Sequence, residues 1–375
     1  MQLEKQLEKV ENKMKLHVLF IGNKFVYNRS LKEYILRNIE NEVGFVDSVI
    51  YYKSSDHSLF LYLEEQFRSS DRFILVISKK NFSTVGKLIC TATSDNQVVR
   101  DGVLVPQKAS HFEERSYLLE HKDVVVNVLQ IDAGDNMPML LLSPQETEAT
   151  IHVFEEEKET LLSILLPIAQ MYEVSFDVTI LVKGWLRVDI TSKRYGNISQ
   201  FIHSAKKLLP KKLITSANII SHIIERLSKK KRKVSFAESC TGGLLAYKFT
   251  KMNGASKILN GSLVTYSNDL KENWLGISHE TITQNGAVSR DVVSEMSEGV
   301  MNVSYADYTL SVSGIAGDSG GTIEKPVGTV YIGVRSKNEH KEEHLLFDGD
   351  RNYVQEQSAL YAIKMLLLVD KEIFF

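Results

Sequence analysis

Residues 234–243 read VSFAESCTGG, and this stretch predicts a buried strand that ends in a tight turn before a helix. Val234 to Ala237 is mostly apolar, and the apolar residues beyond Gly243 suit a helix. A hydroxyl at Ser239 would lie among unpaired amide N–H groups at the positive end of the helix dipole, where an anion or an oxyanion is stabilised. Ser239 or Thr241 could equally cap the helix, which is the common role of such residues.

The residues that follow predict an α/β domain over 213–375, because helical and strand-like runs alternate. Residues 261–266 predict a strand, and Asn268 begins a helix that also carries Lys271. Tyr266 and Lys271 would then project from a single strand-to-helix junction. Taken alone, each has an ordinary structural role, as a half-buried strand residue or a solvated helix residue.

A glycine-rich loop, Gly314–Gly321, follows a predicted strand at 308–313. Its glycines allow successive N–H groups to point at a phosphate, although such a sequence also suits a flexible surface turn. Near the end of the chain, residues 347–351 lead into the last predicted helix. Arg351 could hold a phosphate there, because its planar fork of donors matches phosphate geometry.

The N-terminal half also alternates strands and helices and predicts a parallel α/β sheet over residues 14–168. Its predicted strands are 17–21, 46–52, 73–77, 103–106, 124–131 and 139–142, and its predicted helices are 31–41, 59–69 and 155–171. Residues 172–210 differ, because two β-rich runs flank a turn at Lys183-Gly184 and a helix follows at 198–209. We therefore expect a small α+β unit between two α/β domains.

The length, charge and cysteine content of the sequence exclude several classes of protein. A chain of 375 residues is long enough for two or three domains, and a net charge of -2 argues against a general nucleic-acid binder. Its two cysteines, Cys90 and Cys240, exclude a disulfide framework and fit a reducing compartment. No apolar run is long enough to span a membrane, and residues 1–13 lack the apolar core of a secretory signal. We therefore expect a cytoplasmic protein with no membrane or nucleic-acid partner.

Several strings of the C-terminal half occur together in one known family. AESCTGG at 237–243, VTYSN at 264–268 followed by Lys271, SGIAG at 313–317 with GGTIEKPVGTVYIG at 320–333, and GDR at 349–351 resemble the C-terminal domain of the CinA family. That domain is known as a nicotinamide mononucleotide amidohydrolase with a three-layer α/β fold. The resemblance covers residues 213–375. It implies no cofactor, no metal and a homo-oligomer, expected to be a dimer.

The resemblance also assigns roles to residues. It implies that Ser239, Tyr266 and Lys271 are catalytic. The substrate-binding positions that it implies are Thr241, Gly242, Gly243, Asn268, Ser313, Gly314, Gly317 and Arg351. Three departures from the family pattern bear on substrate affinity: Ser313 replaces a threonine, Asp318-Ser319 replaces Pro-Gly, and Gln355 replaces an arginine.

These residue types suit amide hydrolysis. Cleaving a carboxamide requires a nucleophile, a base that takes its proton, and donors for the developing oxyanion. Ser239 can supply the nucleophile, and a desolvated Lys271 could lose its proton easily enough to be the base. Tyr266 could relay or donate a proton, and the amides of residues 241–243 could stabilise the oxyanion.

The N-terminal half resembles its counterpart in the CinA family in less detail. Residues 14–168 resemble a molybdopterin-binding-like domain, but Asn23-Lys24 replaces an acidic pair, and residues 78–86 lack the glycine-rich signature with paired aspartates. Because glycines admit a phosphate and carboxylates hold a metal, we expect a degenerate, structural domain. Residues 172–210 resemble the family's KH-like linker domain, and without a GxxG loop they predict no RNA binding.

Taken together, the sequence predicts an enzyme that hydrolyses nicotinamide mononucleotide to nicotinate mononucleotide and ammonia by a Ser–Lys mechanism. Two alternatives stay open. The chain could be a non-catalytic nucleotide-binding or regulatory protein that keeps the pocket without turnover. Alternatively, its N-terminal domain could be a nucleotide pyrophosphatase that acts on ADP-ribose.

Overall fold

The computed structural model describes residues 14–53, 57–69, 71–143, 148–192, 196–317 and 320–375. The chain divides into two compact units, Met1–Glu146 and Thr147–Phe375. Helices and sheets alternate in both units, so the α/β fold class that the sequence predicts is confirmed.

The first unit is built on one mixed sheet. Its strands are β1 (Leu16–Ile21), β2 (Ser48–Tyr52), β3 (Arg72–Ile77), β4 (Gln97–Arg100), β5 (Val103–Pro106), β6 (His111–Glu113), β7 (Ser116–His121) and β8 (Val124–Gln130). Its helices are α1 (Asn23–Tyr27), α2 (Arg29–Glu42), α3 (His57–Gln66) and α4 (Lys79–Thr93). Among the described residues, the sheet order is β2-β1-β3-β8-β7-β6, in which β2, β1, β3 and β8 run parallel. Strands β4 and β5 form a separate antiparallel pair.

Strands β1 and β3 are apolar along nearly their whole length. In β1, Leu19 and Ile21 pack on one face of the sheet, whereas Val18 and Phe20 pack on the other. A parallel strand that is buried on both faces gives this continuous apolar pattern. The carboxyl ends of β1 and β3 therefore lie side by side at one edge of a fully covered sheet.

The apolar run at 139–142 is not a strand, so this part of the sequence prediction is wrong. The Leu141 amide donates to the side-chain oxygen of Asn127 at 2.9 Å, and Leu142 is buried in the core on one face of the sheet. The run covers the core as an irregular segment, which its apolar composition alone cannot distinguish from a short strand.

The second unit begins with an α+β subdomain, residues 148–215. Its elements are β9 (Glu148–Phe154), α5 (Lys158–Met171), β10 (Val174–Val182), β11 (Trp185–Ser192), α6 (Ile198–Leu208) and β12 (Leu213–Thr215). The described strands form an antiparallel sheet in the order β10-β11-β9-β12, and this β-α-β-β-α-β arrangement is ferredoxin-like. The subdomain starts earlier than the predicted boundaries at 168 and 172, because β9 pairs with β11 along its whole length.

The two faces of this small sheet have different partners. Helices α5 and α6 cover one face, where Leu161 and Phe201 are buried. Phe154 and Trp185 belong instead to the core of the C-terminal domain. The α+β subdomain and the C-terminal domain therefore share an apolar core, which explains why Thr147–Phe375 forms one compact unit.

The remaining residues form the C-terminal α/β domain. Its strands are β13 (Val234–Glu238), β14 (Leu259–Val264), β15 (Tyr308–Gly314), β16 (Thr329–Ser336) and β17 (His340–Leu346). Its helices are α7 (Ile219–Lys229), α8 (Leu244–Thr250), α9 (Asn268–Leu275), α10 (His279–Asn285), α11 (Arg290–Ser304), α12 (Arg351–Val369) and α13 (Lys371–Phe374). The sheet order is β14-β13-β15-β16-β17 among the described residues, parallel from β14 to β15 and antiparallel beyond.

Helices cover both faces of this sheet, which gives the domain the predicted three layers. Successive residues of β13 point into two different cores, as the pleat of a strand requires. Phe236 packs in the cluster that contains Ile223 of α7 and Leu366 of α12. Ala237 packs in the cluster that contains Val293 of α11. The turn after β13 thus starts from the middle of a well-anchored sheet.

Candidate active site

Ser239 lies in the turn that joins β13 to α8, so the predicted strand–turn–helix is confirmed. The Ser239 amide donates to the Val312 carbonyl of β15 at 2.9 Å, which fixes the start of the turn to the neighbouring strand. Gly242 and Gly243 have φ angles of 58° and 98°, a left-handed backbone that glycine adopts without strain. Ser239 is 8% exposed, so it is largely enclosed by the surrounding structure.

Lys271 reaches Ser239 from helix α9. Its Nζ lies 3.1 Å from the Ser239 Oγ, 2.8 Å from the Thr265 carbonyl oxygen and 3.2 Å from the Tyr266 carbonyl oxygen. Lys271 is 1% exposed. Burial lowers the pKa of this amine because it disfavours the charged form, and Cys240 opposes the shift with a smaller effect.

The three partners of Lys271 suit a neutral amine as well as an ammonium ion. A neutral amine has two hydrogens, which the carbonyl oxygens of Thr265 and Tyr266 can accept, and its lone pair is then available to the Ser239 hydroxyl. An ammonium ion would donate its third hydrogen to the Ser239 Oγ instead. This arrangement therefore allows a proton to pass between Ser239 and Lys271 without movement of the backbone.

Glu238 is a buried carboxylate that the sequence analysis did not single out. It accepts hydrogen bonds from the amides of Gly243, Leu245 and Ala246, each at 3.0 Å, and from the Ser262 hydroxyl at 2.8 Å. Glu238 therefore occupies the N-terminus of α8, whose cap residue Gly243 has no side chain. The sequence feature that could have indicated this role is the position of Glu238 at the end of a buried strand, because a charged side chain that is buried there requires hydrogen-bond partners.

Two of the three amides predicted to stabilise an oxyanion are already occupied. The Gly243 amide donates to Glu238, and the Gly242 amide donates to the Ser239 carbonyl at 3.1 Å. The Thr241 amide donates to no backbone oxygen among the described residues, and the Thr241 hydroxyl is buried without a partner there. Within the described ranges, Thr241 therefore has an unpartnered hydroxyl in this turn, and its amide contacts the Cys240 sulfur.

Cys240 follows Ser239 directly, but its surroundings disfavour a thiolate. Burial raises the pKa of the thiol to about 12, although the amides of Cys240 and Thr241 and the nearby Lys271 lower it. A thiol that stays protonated is a poor nucleophile. On its other side the thiol lies close to Gly314, where an added Cβ would be 3.1 Å from the sulfur. Cys240 thus fills the space between the turn and β15.

Tyr266 and Asn268 lie at the junction before α9 with exposed side chains. Tyr266 is 64% exposed, and its backbone carbonyl, not its phenol, contacts Lys271. Asn268 is the first residue of α9, and the helix is capped by Ser267, whose hydroxyl accepts from the Leu270 amide at 3.2 Å. The structure brings Tyr266 to the Ser239–Lys271 pair through its backbone, and the roles of the phenol and of Asn268 stay predictions.

Arg351 lies against the glycine-rich loop. It is the first residue of α12, and its guanidinium group packs so closely on Gly317 that a side chain there would overlap the Nη2 atom. Gly314 is also restricted, because an added Cβ would lie 2.9 Å from the Thr329 carbonyl oxygen. Glycine is therefore needed at both positions for close approach of neighbouring groups.

Two of the three departures from the family pattern have a structural role. The Ser313 side chain is buried and its hydroxyl donates to the Ala287 carbonyl at 2.8 Å, so this hydroxyl is engaged within the fold. Gln355 on α12 donates through Nε2 to the Cys240 carbonyl at 2.7 Å and thereby supports the turn that carries Ser239. The third departure, at 318–319, lies outside the described residues.

Two cavities lie away from this pair. One, of about 700 Å³, is in the first unit, and the other, of about 430 Å³, is lined by residues of the α+β subdomain and the C-terminal domain. Neither is lined by Ser239 or Lys271. The feature that marks the candidate site is a buried lysine in contact with a serine.

The described residues offer neither a metal site nor a membrane span. No group of three or more His, Cys, Asp or Glu side chains within them is placed to hold a metal ion. In the same ranges, every helix falls short of the length and apolar character that crossing a membrane demands.

Residues 216–369 match the sequence model of a family described as CinA C-terminal domain. A protein of Thermoanaerobacter sp. (strain X514), named as competence-damage inducible, is 44% identical over 178 residues, which are 48% of this chain and 41% of that protein. A CinA-like protein of Thermotoga maritima is 44% identical over 144 residues, which are 38% of this chain and 35% of that protein. Among solved structures, the competence/damage inducible protein CihA from Agrobacterium tumefaciens is 36% identical, and the match covers 40% of this chain and 93% of that chain with a TM-score of 0.40.

The matches cover only part of this chain and part of its relatives. The chain spans less than half the length of each of these two curated relatives. The matched family is the one that the motifs at 237–243, 264–268, 313–333 and 349–351 resemble, and all four motifs lie within the matched residues 216–369. Through this C-terminal domain, the chain belongs to the CinA family.

Proposed function

We propose that this chain is a nicotinamide-nucleotide amidase, which hydrolyses the carboxamide of nicotinamide mononucleotide to nicotinate mononucleotide and ammonia. The hydrogen bond between the buried Lys271 amine and the Ser239 hydroxyl carries the proposal. A serine is a weak nucleophile until an adjacent base takes its proton, and Lys271 is the base within reach. The choice of substrate rests on the resemblance of residues 213–375 to the CinA C-terminal domain, which is known as a nicotinamide mononucleotide amidohydrolase.

Acylation begins with Lys271 as a neutral amine. It takes the Ser239 proton as Oγ bonds to the carboxamide carbon, and the carbonyl oxygen becomes an oxyanion that the donors of Thr241 would stabilise. The tetrahedral intermediate then breaks its C–N bond while Lys271 returns the proton to the leaving nitrogen. Ammonia departs, and nicotinate mononucleotide stays esterified to Ser239.

Deacylation uses the same pair in reverse. Lys271 takes a proton from water as the water oxygen attacks the ester carbon, and it delivers that proton to the Ser239 Oγ as the ester bond breaks. Because Glu238 already compensates the N-terminus of α8, the positive charge nearest the reacting oxygen is the Lys271 ammonium formed in each step. Lys271 would therefore serve both as base and as electrostatic stabiliser.

Recognition of the phosphate falls to Arg351 in this proposal. Its guanidinium group lies on the glycine-rich loop and forms no ion pair with a carboxylate among the described residues. A planar guanidinium can bind two phosphate oxygens at once. Nicotinamide, which has no phosphate, should consequently be a much poorer substrate than the mononucleotide.

The test is ammonia release by the purified full chain from nicotinamide mononucleotide and, separately, from nicotinamide. We expect ammonia and nicotinate mononucleotide in equal amounts from the first substrate, little turnover of the second, and none with Ser239→Ala. If the wild-type chain and Ser239→Ala release ammonia at the same background rate, the amidase proposal fails. Calorimetric binding of nicotinamide mononucleotide by that inactive protein would then support the non-catalytic alternative.

A further inference from the structure

The cavity of about 700 Å³ in the first unit lies at the carboxyl edge of the parallel sheet. Its lining includes Gly22, Ser78 and Asp132, which follow β1, β3 and β8 respectively. Strand β1 lies between β2 and β3 in the sheet. From β1 the chain crosses to β2 on one side, and β3 then lies on the other side of β1, so the strand order reverses at β1. Ligands of open α/β sheets bind in the crevice at such a switch point, and this volume is typical of small-molecule sites.

The lining of this cavity is cationic. Lys24, Lys53, Lys79 and Lys80 all line it, whereas Asp132 is the one carboxylate in the lining. Lys24 forms an ion pair with Asp132. The other three lysines have no ion-pair partner among the described residues. Since the whole chain has a net charge of -2, this concentration of unpaired positive charge is a local feature.

Ser78 gives a second, independent indication of a ligand. Its side chain is 7% exposed and lines the cavity, and its hydroxyl has no hydrogen-bond partner among the described residues. Ser78 stands at the cap position of α4, a helix of 15 residues, yet its side chain does not cap that helix. The hydroxyl and the first amides of α4 are therefore available to acceptor atoms inside the cavity.

Gly22 keeps access to that hydroxyl open. Its φ angle is 135°, which favours glycine, and an added Cβ would lie 3.2 Å from the Ser78 Oγ and 3.4 Å from the Asn81 Nδ2. A larger residue at this position would crowd the polar groups of the cavity. The glycine thus permits a ligand to approach both the backbone and Ser78.

We propose that this cavity binds a small phosphorylated molecule without the help of a metal ion. Unpaired lysines, a free hydroxyl and an uncapped helix N-terminus all favour an anion with several acceptor oxygens. A divalent cation would instead require several oxygen ligands, and the cavity offers one carboxylate that is already paired with Lys24. On this proposal the first unit is a ligand-binding domain and not only the structural one that its lost glycines and carboxylates predict.

The test is calorimetric titration of the full chain with inorganic pyrophosphate in the presence of EDTA. We expect binding by the wild-type chain, and a Kd about tenfold higher for each of Lys79→Gln and Lys80→Gln, because each substitution removes a charge-assisted contact. Lys87→Gln is the matched control, since Lys87 lies further along the same helix and outside the cavity lining. It should bind pyrophosphate as the wild-type chain does, and melting curves establish that all three variants are folded.

Three results would overturn the proposal. Folded wild-type chain that takes up no pyrophosphate would show that the cavity is not an anion site. Binding that appears only when Mg²⁺ replaces EDTA would show that a metal is required. If Lys87→Gln weakened pyrophosphate binding as much as Lys79→Gln and Lys80→Gln, the anion would be attracted by the general positive charge of the helix and not by a defined site.

Discussion

Both units end a buried parallel strand in a turn and a helix, yet the two turns are built for different chemistry. After β13, the Glu238 carboxylate occupies the N-terminus of α8 and Lys271 is buried against Ser239. After β3, Ser78 leaves α4 without a side-chain cap, and Lys79 and Lys80 are exposed. A buried lysine loses its proton more readily and can be a base, whereas an exposed lysine keeps its charge and attracts anions. The burial of the lysine, and not its place at the sheet edge, thus decides the chemistry.

The largest expected effect concerns the nucleophile. Ser239→Ala removes the oxygen that attacks the carboxamide, and we expect turnover of nicotinamide mononucleotide to fall by about 10⁴-fold or more. Cys240→Ala should cost little, because burial raises the pKa of that thiol to about 12. Initial rates of ammonia release measure both variants. A Cys240→Ala variant that is the less active of the two would identify the chain as a cysteine amidase.

Substitution of the base should be nearly as damaging. Lys271→Arg keeps a positive charge but cannot lose its proton, so it should be as inactive as Lys271→Ala. Steady-state rates of the two variants provide the measurement, with circular dichroism to establish that the larger arginine leaves the fold intact. Substantial activity in the folded arginine variant would mean that charge alone suffices and that another group is the base.

The pH dependence of kcat/KM tests the role of Lys271 as the base without a substitution. Burial lowers the pKa of Lys271 from its ordinary value of 10.5. The neutral, proton-accepting form therefore becomes more abundant as the pH rises toward the lowered pKa. We expect kcat/KM to increase with pH through that range and to level off above it. A profile that falls with rising pH would contradict a lysine base.

Glu238→Gln should reduce stability, because an amide in place of the carboxylate cannot accept from all three amides of α8 and the Ser262 hydroxyl at once. Leaving one buried donor unpaired costs about 2 kcal/mol. Urea unfolding measures the loss, and Glu225→Gln, at an exposed pair on α7, is a control that should change nothing measurable. Unchanged stability of Glu238→Gln would show that the helix N-terminus does not need this carboxylate.

The sequence names Ser239 and Lys271 together through the family resemblance. The structure brings their side chains into contact because β13 and β14 are parallel neighbours, so the turns that follow them lie at the same edge of the sheet. The sequence does not reveal Glu238, since a charged side chain at a strand end is usually solvated and its burial depends on donors of a helix that follows. Strand β17 reads HKEEHLL, and this polar edge strand has no apolar alternation to detect. The sequence analysis predicts no strand at β9, and its boundary at 168 separates these residues from their partner β11, because local pattern does not encode pairing between distant segments.

The smallest effect separates a ligand-binding serine from a capping serine. Ser289 caps α11, where its hydroxyl accepts from the Val292 amide at 3.3 Å, so Ser289→Ala should cost about 1 kcal/mol of unfolding free energy. Ser78 occupies the equivalent position before α4 but makes no such bond, so Ser78→Ala should change that free energy by no more than about 0.5 kcal/mol. Urea unfolding of the two variants gives the comparison, and the same Ser78→Ala protein should bind pyrophosphate more weakly than the wild-type chain.

Equal destabilisation by the two substitutions would mean that the Ser78 hydroxyl supports its own helix. The contrast between a filled helix N-terminus at α8 and an open one at α4 would then no longer hold.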